Sequence, residues 1–135
     1  LKADIAPNPV DKGKTIEAFK QFNDSTYLHQ VVARQEDGSL KRYPDLPEAL
    51  MDARNNDTRE WRSHFHVPLF MKDYGVLQST QSDIEKVISL QKQKPFSSYL
   101  EVETYTWEVL PKETRLPITE SIARELQWVQ ARLEE

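Results

Sequence analysis

An α/β fold with parallel strands is what this sequence predicts, and three observations predict it. Helical and extended patterns alternate along the chain. The extended segments are short, β-branched and aromatic, and the segments between them are long enough for helical crossovers. No two neighbouring strands read as joined by a tight turn, which leaves parallel pairing as the expected arrangement.

The elements follow in order. A short amphipathic helix is expected over 14–22, with Ile16 and Phe19 at helical spacing and Asp11 near its start. Thr26 to Ala33 reads as the first strand, and Asp37-Gly38 marks a turn before Leu40 to Tyr43. That turn is read as a hairpin-like excursion beyond the strand's end. Asp45 caps a helix over 46–54, where Pro47 fits the first turn. A second strand is expected over 61–67, stopped by Pro68, which cannot donate to a ladder. Thr80 with Asp83 resembles a capping box and opens a helix over 81–93. Its apolar stripe is Ile84, Val87 and Ile88, with Gln91 as a polar imperfection. A third strand is expected over 98–106. Ile118, Ile122, Leu126, Val129 and Leu133 mark one face of a closing helix over 118–133.

The chain has 135 residues, enough for one domain. A free-standing three-stranded parallel sheet is poorly covered, because parallel sheets are normally buried on both faces. A (β/α)8 TIM barrel takes roughly 250 residues, so about three of its eight βα units fit here. The whole chain, 1–135, is therefore expected to be the C-terminal segment of such a barrel. The remaining N-terminal barrel segment of a parent chain, or self-association, would cover its edges.

Composition narrows the function. Eighteen basic residues against 22 acidic ones leave a net charge of −4, with no basic run to neutralise phosphates. No nucleic acid is expected as a partner. No apolar stretch approaches the roughly 20 residues of a spanning helix, so no membrane insertion is expected. The absence of cysteine excludes thiolate metal sites, disulfides and a cysteine nucleophile. Three glycines cannot build a phosphate-cradling loop. A cytoplasmic location is the expectation.

The candidate chemistry lies on the expected strands. His64 and His66, two apart, share one face of a strand, as either half of a metal site or an ordinary polar pair. Glu101 and Glu103 repeat that spacing. Glu101 suits an ion pair with Arg62, and Glu103, nearer the strand's C-terminal end, is the better metal ligand. His29, between apolar neighbours, reads first as a hydrogen-bonded core histidine. Tyr105 and Trp107 form either an aromatic wall for a substrate or simple packing.

The strings YLHQVVARQEDGSLKRYPDLPEAL (27–50), HFHVPLF (64–70) and LEVETYTWEVLP (100–111) resemble the C-terminal third of the EboE family. SIARELQWV (121–129) is similar to that family's last helix. These metabolite-traffic proteins belong to the xylose isomerase-like TIM barrels. The resemblance implies a divalent metal ion (Zn, Mn or Mg) at the barrel mouth. His66 would be the seventh-strand ligand, with His64 as a further one, Glu103 the eighth-strand carboxylate, and His29 the sixth-strand candidate. It implies isomerase-like chemistry on a small hydroxylated or carbonyl metabolite, with Glu103 and His66 catalytic. The alternative is a non-catalytic carrier of a small-molecule metabolite on the same fold.

Overall fold

The Asp37-Gly38 turn sets the sheet's direction. Gly38 has φ +85°, the left-handed conformation that a tight hairpin turn requires and that a side chain disfavours. The Asp37 carboxylate accepts from the Ser39 amide at 2.9 Å and fixes the turn. Strands β2 (Val31–Gln35) and β3 (Leu40–Tyr43) consequently pair antiparallel, Val31 opposite Tyr43 and Arg34 opposite Leu40.

The computed structural model describes residues 2–4, 9–23, 25–53, 57–104, 107, 112 and 115–134, with side chains from residue 11 onward. The remaining described strands are β1 (Lys2–Asp4), β4 (Thr58–Ser63), β5 (Asp73–Tyr74) and β6 (Leu77–Gln78). The helices are α1 (Pro9–Lys20), α2 (Leu46–Asp52), α3 (Gln81–Gln93) and α4 (Ile118–Glu134). The chain is mixed α/β, and its sheet runs β3-β2-β4-β1-β6-β5. Every described pairing in it is antiparallel.

The parallel-strand expectation is thus corrected, and no closed barrel forms among the described residues. The hairpin is part of the sheet and not an excursion beyond it. Strand boundaries move as well. The first strand starts at Val31, not Thr26. The second occupies Thr58–Ser63, so His64 to Val67 lie beyond its end. The third strand expected over 98–106 is not assigned as a strand over 98–104, and residues 105 and 106 lie outside the described residues. Helix α1 begins five residues earlier than its apolar spacing suggests, because Pro9 is well suited to a first helical turn.

Two compact units divide the chain. One comprises Leu1–Phe65 with Asp73–Gln78, the other His66–Lys72 with Ser79–Glu135. The first holds the sheet with α1 and α2. Its core is Phe19, Val31, Ala33, Leu46, Ala49, Trp61 and Leu77, all essentially buried. Phe19 meets Trp61 with ring centroids 5.4 Å apart. The Asp45 carboxylate accepts from the Leu46 amide, capping α2, and from the His29 amide, both at 2.8 Å. Glu60 lies between Arg34 at 2.5 Å and Arg62 at 2.7 Å. Those guanidinium hydrogen bonds, Arg34 first, hold its carboxyl below the ordinary glutamate range.

The second unit pairs α3 with α4, joined by Arg132 Nε donating to Glu85 at 3.0 Å. Gln91 is no flaw in the α3 stripe. Its Oε1 accepts from the amides of Phe96 (3.0 Å) and Ser97 (3.2 Å), and its Nε2 donates to the Ser97 carbonyl (2.7 Å), closing the turn after the helix. Thr80 makes no side-chain cap; Ser79 Oγ instead accepts from the Gln81 amide at 3.3 Å.

Trp61 supplies the largest fully buried side chain among the described residues. Trp61→Ala is expected to cost about 3–5 kcal/mol, from lost transfer energy and the cavity left against Phe19. Urea denaturation of the two proteins measures it; a loss below about 1 kcal/mol would show that Trp61 is not central to this core.

Candidate functional site

Of the expected site residues, the structure brings His66 and Glu103 together. His66 follows the end of β4, where Pro68 bars further pairing, and the chain here runs beside residues 103–104 of the second unit. His66 Nδ1 lies 3.0 Å from the Glu103 carbonyl oxygen. A carbonyl only accepts, so Nδ1 carries the hydrogen in this contact. The Glu103 carboxylate is 3.6 Å from the same Nδ1. His66 is 23% exposed in its side chain and Glu103 75%, so the pair lies at the surface.

The other expected residues lie elsewhere. His29 is buried in the first unit, its ring 4.4 Å from that of Phe65, the core position read first from its neighbours. His64 is exposed and belongs to the first unit, past the end of β4, so strand alternation does not align it with His66. Trp107 is half-buried, and Tyr105 lies outside the described residues. Arg62 donates to Glu60, and Glu101 is exposed.

No group of three or more histidine, aspartate or glutamate side chains converges among the described residues. His66 and Glu103 approach through Nδ1, the nitrogen already directed at a backbone oxygen.

Sequence reading missed Glu125. It sits on the expected helix among apolar residues, where a glutamate normally reads as solvated surface. Here it is 1% exposed. Its Oε1 accepts from the Leu69 amide and from the Thr104 hydroxyl, both at 2.7 Å. Thr104 also reaches the Val67 carbonyl at 3.4 Å. One carboxyl thus ties the segment after His66 to the residue after Glu103. Its position one turn after Ser121 and just before Leu126 held the signal: Ser121, Glu125, Trp128 and Arg132 form a second helical stripe.

Burial pushes the Glu125 carboxyl above the ordinary value of 4.5, outweighing the Thr104 and Leu69 hydrogen bonds that pull it down. Its Oε2 is buried with no partner among the described residues, so ionisation leaves an uncompensated oxygen.

No family model, curated protein or solved structure matches this chain. No helix among the described residues is long and apolar enough to cross a membrane.

A raised carboxyl favours folding in its protonated form. That contribution is full below the unfolded value and is lost as pH rises through the folded one. Glu125→Gln keeps an acceptor for Leu69 and Thr104 but cannot ionise. Wild-type stability is expected to fall relative to the glutamine variant as pH rises above about 4.5, the ordinary value. Parallel pH–stability curves for the two proteins would refute this.

Proposed function

We propose that this chain handles a small polar metabolite, the role implied by its resemblance to EboE-type metabolite-traffic proteins, with His66 as the group that meets the ligand. The observation that carries the reading is the His66–Glu103 pair. The backbone carbonyl of Glu103, 3.0 Å from Nδ1, fixes the orientation of the His66 ring, which supports a role in placing a polar ligand. The Glu103 carboxylate lies 3.6 Å from the same Nδ1 and lines the ring's surroundings. Glu125 acts from behind as a positioning residue, through Thr104. A cytoplasmic location belongs to the same proposal.

Metal-dependent isomerisation uses the same two side chains and differs in a measurable way. It requires a near-stoichiometric divalent ion that is lost in both His66→Ala and Glu103→Ala; the carrier reading requires none.

Calorimetric titration against xylose, ribose phosphate and malate tests metabolite binding. Saturable binding of at least one is expected. His66→Gln should weaken it about tenfold, the size of one hydrogen bond to a polar ligand, and Glu103→Gln less. No binding by the wild type, or equal binding by His66→Gln, overturns the proposal.

A further inference from the structure

Helices α3 and α4 flank an open cavity of about 480 Å³ in the second unit, lined by Glu85, Ile88, Ser89, Lys92 and Arg132. None of these belongs to the His66 site. The four α3 residues recur at the spacing of one helical stripe, and Arg132 faces them from α4. Arg132 is held on three sides. Its guanidinium lies 3.6 Å from the Trp128 ring centroid, Nη1 donates to the Trp128 carbonyl at 3.1 Å, and Nε donates to Glu85 Oε1 at 3.0 Å. Nη2 and Glu85 Oε2 have no hydrogen bond among the described residues. Ser89 Oγ accepts from Gln93 Nε2 at 3.3 Å and keeps its own hydrogen to donate. Lys92, in the last turn of α3, is exposed and has no ion pair among the described residues. Neighbouring charges are already engaged, Lys86 by Asp83 at 3.5 Å and Glu134 by Gln130 at 2.7 Å. Ile88 is the buried, apolar part of the wall.

We propose that this cavity binds a free α-amino acid with an acidic side chain. The mixed charge of the lining selects that class. A simple anion would meet the Glu85 carboxylate as a repulsive neighbour, and a simple cation would meet Arg132 and Lys92. A zwitterion satisfies both signs. Glu85 Oε2 and Arg132 Nη2 offer an acceptor and a donor side by side, the complement of an ammonium and a carboxylate on one carbon. Because Arg132 is already fixed by Trp128, little side-chain freedom is lost when the ligand arrives. Lys92 stands two helical turns from Glu85, about 10 Å along the axis, and the two long side chains close part of that gap. Its ammonium therefore meets the far end of the ligand, where a second carboxylate is its natural partner. Ser89 lies between the two ends, and Ile88 covers the ligand's methylene carbons.

Titration of the isotope-labelled full chain with L-glutamate, followed by heteronuclear NMR, is the test. Saturable shifts centred on the amides of Glu85, Ser89, Lys92 and Arg132 are expected, with a Kd of about millimolar order, as suits an open cavity. L-Glutamine, neutral at its far end, should bind about tenfold more weakly, the size of one charge-assisted hydrogen bond. Succinate keeps two carboxylates without the ammonium and should also lose about tenfold. Lys92→Gln should weaken glutamate binding about tenfold and abolish its preference over glutamine. Lys92 is exposed, so the rest of that variant's spectrum should stay in place. His66→Gln should leave glutamate binding unchanged, so this assignment and the metabolite reading at His66 fail separately. Absence of saturable shifts, or shifts confined to residues outside the cavity, overturns the proposal. Equal binding of glutamate by Lys92→Gln does the same, and equal binding of succinate would make the cavity a general anion site and reject the amino acid.

Discussion

The buried carboxyl of Glu125 constrains the second unit more than any other group. It enters the interior on a helix whose apolar residues point elsewhere, and it satisfies the Leu69 amide and the Thr104 hydroxyl at once. Those two bonds dictate the rotation of α4 about its own axis. Once Glu125 faces inward, Ser121, Trp128 and Arg132 must follow it, and the Ile118–Leu126 stripe must face out. The site and the outward ridge are therefore two results of one placement. The same carboxyl fixes the loop that carries His66 relative to the one that carries Glu103.

The first unit depends on a different kind of constraint, a backbone one. Gly38 turns the chain tightly enough for β2 and β3 to pair directly, and β4 then adds to the other edge of β2. Trp61 on β4 receives Phe19 from α1, so the helix covers the sheet through one aromatic contact. On the exposed face, Glu60 between Arg34 and Arg62 ties adjacent strands. That cluster acts oppositely to Glu125 with pH. A lowered carboxyl stabilises above its unfolded value and loses that contribution as pH falls through the folded one. Falling pH weakens one unit's ion pairs, while rising pH removes the contribution of the other unit's buried carboxyl.

Helices were the legible part of the sequence. Asp45 capping follows from local chemistry that the structure retains, and the 81–93 span and the start at Ile118 lie where the apolar spacing puts them, although Thr80 forms no side-chain cap. Strand direction was less legible, because the same short β-branched segments serve parallel and antiparallel sheets. The Asp37-Gly38 signal was visible, but the alternation with helices outweighed it. The His64–His66 face argument holds only inside a strand, and β4 stops at Ser63. The approach of His66 to Glu103 came through loops, where residue spacing carries little information.

Gln91 and Glu125 show why polar residues within apolar stripes repay attention. Each looked like an interruption of a helical pattern. Gln91 spends its amide on three backbone partners that close the turn after α3. Glu125 spends its carboxyl on two partners from separate segments, at the expense of a buried Oε2 with no partner among the described residues. An apolar side chain at either place would leave backbone groups unsatisfied, a larger loss than the hydrophobic area gained. The polar residue in such a stripe therefore marks where a helix meets irregular chain. In this protein that is also where the His66–Glu103 pair is assembled, so the interruption of the stripe points to the site more directly than the histidine spacing does.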